Sequence, residues 1–209
     1  MEGKSQAEQD AHYSFDQELS PSINEPDVSD RYWVKISFGS GSLQGYFVHD
    51  QCILGELEDD ENSLTLQDYM FGLVITEDTF NNNFDGIVGL AYPEFAEPGV
   101  TPFFDSLMDS GILGKKVFAF HMSMNPDEEE SELLLGDWDD SKYSGDLVWH
   151  NVEHKLFWSI QLDDVKVNGN SLGLCGPDSG KNCLLTPDSG TSMITFPSWA
   201  FEQFKGEYG

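Results

Sequence analysis

From Arg31 onward, apolar positions fall in short runs broken by glycine, asparagine or acidic residues. Tyr32-Trp33-Val34-Lys35-Ile36-Ser37-Phe38 and Leu43-Gln44-Gly45-Tyr46-Phe47-Val48 flank Gly39-Ser40-Gly41-Ser42. Two β-rich runs around a glycine-serine tip predict a hairpin. Further strand-like runs are Cys52-Ile53-Leu54, Leu64-Thr65-Leu66, Tyr69 to Ile75, Gly86-Ile87-Val88-Gly89-Leu90, Val117 to Met122 and Glu132 to Leu135. Leu147-Val148-Trp149 and Leu156 to Ile160 continue the series. Many short strands with turn punctuation predict an all-β class. Two stretches break the rhythm. Thr101 to Gly111 places a capping Thr, then Pro102 at the first helical position, before Phe103, Phe104, Leu107 and Met108, and ends on Gly. It predicts a short helix with those four side chains facing a core. Pro197 to Phe204 predicts a second. Residues 1–30 are polar, without a sustained period, and read as extended or loose.

The chain has 209 residues, 39% hydrophobic and 13% aromatic, which is a globular composition. Thirty-eight acidic against ten basic residues leave a net charge of -28, and this argues against nucleic acid or anionic membrane surfaces as partners. The same charge fits either simple solubility or tolerance of an acidic compartment, where protonation relieves repulsion. No apolar run approaches a membrane span, and Met1 to Gln6 lacks the apolar core of an export signal. Cys175 and Cys183 bracket a short turn-rich loop, whereas Cys52 sits alone in a strand pattern. A Cys175–Cys183 bridge with Cys52 free is expected, contributing roughly 2.5 kcal/mol by loop-closure entropy and implying an oxidising compartment. That compartment conflicts with the missing signal and points to a true N-terminus elsewhere.

Several patterns suggest chemistry that their context removes. The glycines at 39, 41 and 45 are spaced wrongly for a dinucleotide loop and precede strands. His150-Asn151-Val152-Glu153-His154 matches a zinc-peptidase spacing, but that site needs a helix and the neighbours are strand formers, so surface histidines on a hairpin are expected. Asp137 to Ser141 has Lys142 where a calcium loop requires glycine. The run Glu128-Glu129-Glu130 reads as a solvated loop tip.

The stretch with the strongest chemical content is Leu184-Leu185-Thr186-Pro187-Asp188-Ser189-Gly190-Thr191-Ser192. An apolar strand delivers a carboxylate into a tight turn whose hydroxyls and N–H groups can fix its oxygens. A second copy, Asp178-Ser179-Gly180, follows Gly176-Pro177 with no strand behind it and reads as a surface turn.

Taken in order, these segments resemble a pepsin-type aspartic peptidase of the pepsin, cathepsin D and plasmepsin family. Phe38 to Gly45 is similar to the active-site flap, Phe84 to Pro93 to the most recognisable core segment, and Thr101 to Gly111 to the helix behind it. Leu134-Leu135-Gly136 to Tyr143-Ser144-Gly145 resembles the crossing between lobes, Phe157 to Ile160 the start of the second lobe, and Cys175 to Cys183 its disulfide loop. Asp188 then falls in the second catalytic triplet. The resemblance spans about residues 31 to 209.

It implies a bilobal all-β fold, incomplete in both lobes, with residues 1–142 from the N-terminal lobe and 143–209 from the C-terminal lobe. It implies an aspartic endopeptidase that hydrolyses peptide bonds by a water activated between two aspartates. Asp188 is the expected catalytic residue, supported by Ser189, Gly190 and Thr191, and Phe38, Gly39 and Ser40 form the substrate-binding flap. No cofactor or metal is called for. The partner is a peptide or protein substrate, the complete protein is a monomer, and the family implies a secreted or lysosome- or vacuole-like setting. Counting back from Phe38 places the first triplet before Met1, so the 209-residue chain alone is expected to be inactive. The alternative is a non-catalytic peptide-binding relative. Two positions depart from the family: Phe38 replaces the usual flap tyrosine, and Pro187 replaces an apolar residue that has an N–H.

Overall fold

The computed structural model describes residues 15–38, 41–55, 63–78, 85–125, 127, 129–177 and 179–208. The chain divides into two compact units, one of residues 1–90 with 97–142 and one of residues 91–96 with 143–209. Strands dominate both, as the short-run pattern predicts, and two helices accompany them.

In the first unit, β1 (Trp33–Phe38), β2 (Gly41–Leu54) and β3 (Leu64–Asp78) form an antiparallel sheet in that order. Phe38 pairs with Gly41, so the expected hairpin exists; its tip residues Gly39 and Ser40 lie outside the described residues. The two long strands each absorb two of the predicted runs. β2 passes through His49-Asp50-Gln51 and β3 through Gln67-Asp68, with Asp68 in the left-handed region at φ 55°. The register between β2 and β3 slips at Gln44/Gly45 and at Asp50/Cys52. Extra residues absorbed as bulges keep a strand continuous across a polar interruption.

At the first slip, the backbones come too close for a side chain. A Cβ on Gly45 would stand 2.0 Å from the Leu73 carbonyl oxygen. Gly45→Ala is therefore expected to destabilise the unit by about 2 kcal/mol, because the main chain of β3 must move aside. A denaturant titration of the variant reads this as a lower midpoint with an unchanged slope.

Residues 15–30, expected to be extended or loose, form a strap across β2 with Arg31 at its end. Asn24 and His49 exchange backbone bonds of 2.7 and 3.1 Å. The Ser20 and Ser22 hydroxyls donate to the two oxygens of Asp50 at 2.6 and 2.5 Å, and the Gln51 N–H adds a bond of 2.7 Å. Glu25 accepts from the Tyr46 hydroxyl at 2.6 Å and from the Arg31 guanidinium, which lies 4.2 Å above the Tyr46 ring. Side chains with acceptors at fixed positions hold this segment, and a hydrophobic period does not register such ties.

The helix α1 (Phe103–Ser110) packs Phe103, Phe104 and Leu107 inward, with Met108 half-buried. Phe103 and Leu107 share a core with Leu66, bordered by Cys52, Tyr69, Leu113 and Leu135. Its start differs from expectation: Pro102, not Thr101, is the cap, with ψ 154° and its carbonyl accepting from the Ser106 N–H at 2.9 Å. Proline's fixed φ suits the half-in position as well as the first helical one. Gly111 ends the helix at φ 73°, the left-handed geometry that favours glycine. The strands β4 (Phe118–His121) and β5 (Glu132–Leu135) pair as predicted. In the acidic turn between them Asp127, Glu129 and Glu130 are exposed, as expected, and Lys142 bonds Glu129 at 2.9 Å and Glu132 of β5 at 3.0 Å.

The second unit holds β6 (Ile160–Leu162), β7 (Lys166–Val167), β8 (Asn170–Ser171), β9 (Cys183–Leu185) and α2 (Ser198–Tyr208). β6 pairs with β9 and β7 with β8. Leu172, Leu174, Cys175 and Ala200 form its core, with Phe196 and Phe204 stacked 5.7 Å apart at its side. Cys175 and Cys183 are disulfide-bonded and Cys52 is free. The Lys181 ammonium sits 3.9 Å over the Trp199 ring, tying the disulfide loop to α2.

Two predicted strands are not formed, and of the run Leu156 to Ile160 only its end enters β6. Residues 86–90 and 147–149 carry no strand assignment, and 155–158 form a turn ahead of β6. Apolar content alone does not make a strand, which needs a partner for its N–H and C=O groups. His154 faces Ser159 across an isolated bridge, and the His150 and His154 side chains are exposed, as expected for a surface hairpin. Among the described residues no helix is long and apolar enough to cross a membrane.

Candidate active site

The carboxylate of Asp188 is delivered by β9, which is short but fixed at its beginning. Cys183, its first residue, is bonded to Cys175 in the core, and Leu162, Gln161 and Ile160 of β6 pair with Cys183, Leu184 and Leu185. Beyond Leu185 the chain runs through Thr186 and Pro187 into the turn. The Gly190 N–H donates to Asp188 Oδ1 at 2.9 Å, and the Thr191 hydroxyl donates to Oδ2. The Thr191 N–H closes the turn on the Asp188 carbonyl at 3.3 Å.

This is an Asx turn, in which an aspartate side chain accepts from the backbone two residues ahead. It orients both oxygens of an exposed carboxylate. Glycine has a local reason at 190, since a Cβ there would stand 3.2 Å from Asp188 Oδ1. Of the three expected supporting residues, Gly190 and Thr191 bond the carboxylate directly. They do so because residues two and three ahead curl back over the aspartate in such a turn. Among the described residues no carboxyl bonds Asp188.

The upstream copy behaves as a plain turn. Ser179 donates to the Gly176 carbonyl at 2.9 Å and the Gly180 N–H to the Pro177 carbonyl at 3.3 Å, while Asp178 lies outside the described residues. Of the expected flap residues, Phe38 is partly exposed at the end of β1, and Gly39 and Ser40 are not described.

One feature near Asp188 escaped sequence reasoning. The Ser159 and Thr186 hydroxyls lie 2.9 Å apart, and Ser159 is 4% exposed. Neither residue stands out in the local pattern; only the strand register brings them together.

A strand-borne aspartate, gripped at both oxygens inside an Asp-Ser-Gly-Thr turn of an all-β chain, defines a protein built to present a carboxylate. The chain belongs to the eukaryotic aspartyl protease family, whose description matches residues 2–209. It is 38% identical over 187 residues to cathepsin D of Chionodraco hamatus, covering 83% of this chain and 44% of that protein. It is 34% identical over 179 residues to pepsin A of Sus scrofa, covering 84% and 43%, and 37% identical over 177 residues to cathepsin E of Cavia porcellus, covering 83% and 42%. The chain thus spans less than half the length of these curated relatives.

Proposed function

We propose that the protein is an aspartic endopeptidase and that Asp188 is one half of its catalytic pair. The supporting observation is the hold on Asp188, whose oxygens are fixed by the Gly190 N–H and the Thr191 hydroxyl at the exit of a paired strand. Two carboxyls within a few ångströms cannot both ionise, so the pair shares one proton and titrates as a unit. The ionised member takes a proton from a water that attacks the peptide carbonyl, and the protonated member gives its proton to the developing oxyanion. In this reading residues 1–142 and 143–209 are portions of two lobes. Asp188 works with a second aspartate in that pair, and Phe38, Gly39 and Ser40 keep the flap role that the resemblance implies. The substrate is an extended polypeptide with bulky apolar residues beside the scissile bond.

Hydrolysis of a denatured protein between about pH 3 and about pH 7 tests the proposal, using the protein extended to include both carboxylates. Acid-favoured cleavage is the expected result. Peptide binding without cleavage at any of these pH values would instead assign the protein to the peptide-binding relatives of the fold.

A further inference from the structure

Across β6 and β9, residues pair in one continuous register: Leu162 with Cys183, Gln161 with Leu184, Ile160 with Leu185. The next step outward sets Ser159 opposite Thr186, and here the main-chain ladder ends. The backbone of Ser159 is committed to the preceding turn, its N–H donating to the Phe157 carbonyl and its carbonyl accepting from the Glu153 N–H, each at 2.8 Å. One residue further along the other strand, Pro187 has no N–H to give. At this step the two strands are joined instead by the hydroxyls of Ser159 and Thr186, 2.9 Å apart.

We propose that the Ser159–Thr186 hydroxyl pair is a positioning device that sets the direction from which Asp188 enters its turn. The inference rests on the reading of Asp188 as the catalytic carboxylate. Ser159 is 4% exposed, so its hydroxyl has little access to water and is strongly disfavoured without a protein partner. That makes it a fixed anchor for Thr186. The pyrrolidine ring of Pro187 then locks the next φ, so few soft torsions separate the buried anchor from the aspartate. In this chain a side-chain bond followed by a rigid residue takes over where a strand with a free N–H would have continued the ladder. Ser159 and Thr186 are positioning residues; neither bonds the carboxylate itself.

Amide hydrogen exchange in the folded 209-residue chain tests this without substrate. Thr186→Val and Ser159→Ala are each expected to speed exchange at the Gly190 N–H by roughly tenfold, while the ladder amides of β6 and β9 keep their rates. The double variant should exceed neither single one, since both remove the same bond. Thr186→Ser, which restores a hydroxyl, should return the wild-type rate. Thr186 lies at the exposed end of its strand, so Thr186→Val is expected to fold even if Ser159→Ala does not. Unchanged exchange at Gly190, or an equal rise along the whole ladder, would overturn the inference. In an active form of the protein the same variants should lower kcat and leave KM in place. Absence of hydrolysis in the wild-type protein would count against the peptidase reading alone, since the exchange result stands independently of it.

Discussion

Asp188→Asn, made in the protein that carries both catalytic carboxylates, is expected to lower hydrolysis of a denatured protein by roughly 10³-fold or more. The amide nearly preserves the shape of the side chain and can still accept from the Gly190 N–H, so the turn should persist. It cannot take a proton from water, and it removes the like charge that forces its partner to stay protonated. Both halves of the acid–base cycle fail together. The matched control is Asp178→Asn, in the same tripeptide without a leading strand, and it should keep wild-type activity. Residues 1–209 alone should not cleave at any pH, because among the described residues no carboxyl bonds Asp188. Equal activity in Asp188→Asn and wild type would show that the reaction, if present, runs through other residues.

Asp50→Ala is expected to destabilise the first unit by about 3 kcal/mol near neutral pH, the scale of losing charge-assisted bonds at a buried site. Asp50 is 4% exposed. Burial by itself raises its pKa, but the bonds from the Ser20 and Ser22 hydroxyls and the Gln51 N–H outweigh burial and hold it below the ordinary carboxylate value. A carboxylate depressed in the folded state adds stability above its unfolded value, about 4, and loses that contribution as pH falls through its folded value. The gap between wild type and Asp50→Ala should therefore be constant from about pH 7 to about pH 5 and narrow only below about pH 4. Denaturant midpoints at several pH values measure it. A gap that already closes between neutral and mildly acidic pH would contradict the assignment. The strap is in this respect suited to an acidic setting, since its latch to β2 does not depend on neutral pH.

The hairpin, α1, β4, β5 and the turn at Asp188 were legible because each carries a local signature: alternation, a proline-to-glycine bracket, or an apolar lead-in to an Asx turn. The runs at 86–90 and 147–149 look the same locally, yet they are not assigned as strands, because composition records the capacity to form a strand and not the register that completes one. The strap was illegible for the opposite reason. Ser20, Ser22, Asn24 and Glu25 are ordinary loop residues until Asp50, His49 and Tyr46 are placed beside them, 21 to 30 positions later in sequence. The Ser159–Thr186 pair, 27 residues apart, needed the register of β6 and β9 to become visible.

β3 is an outer strand of its sheet, and its last five residues, Val74 to Asp78, are all exposed. Val74 and Ile75 would template an incoming strand well, and Glu77 and Asp78 beside them act as gatekeepers against such stacking between molecules. The net charge of -28 that keeps whole molecules apart vanishes as pH approaches the isoelectric point near 4.1. Colloidal stability should accordingly reach its minimum there, with light scattering rising as pH nears that value and falling again on the more acidic side, where the molecules repel as cations.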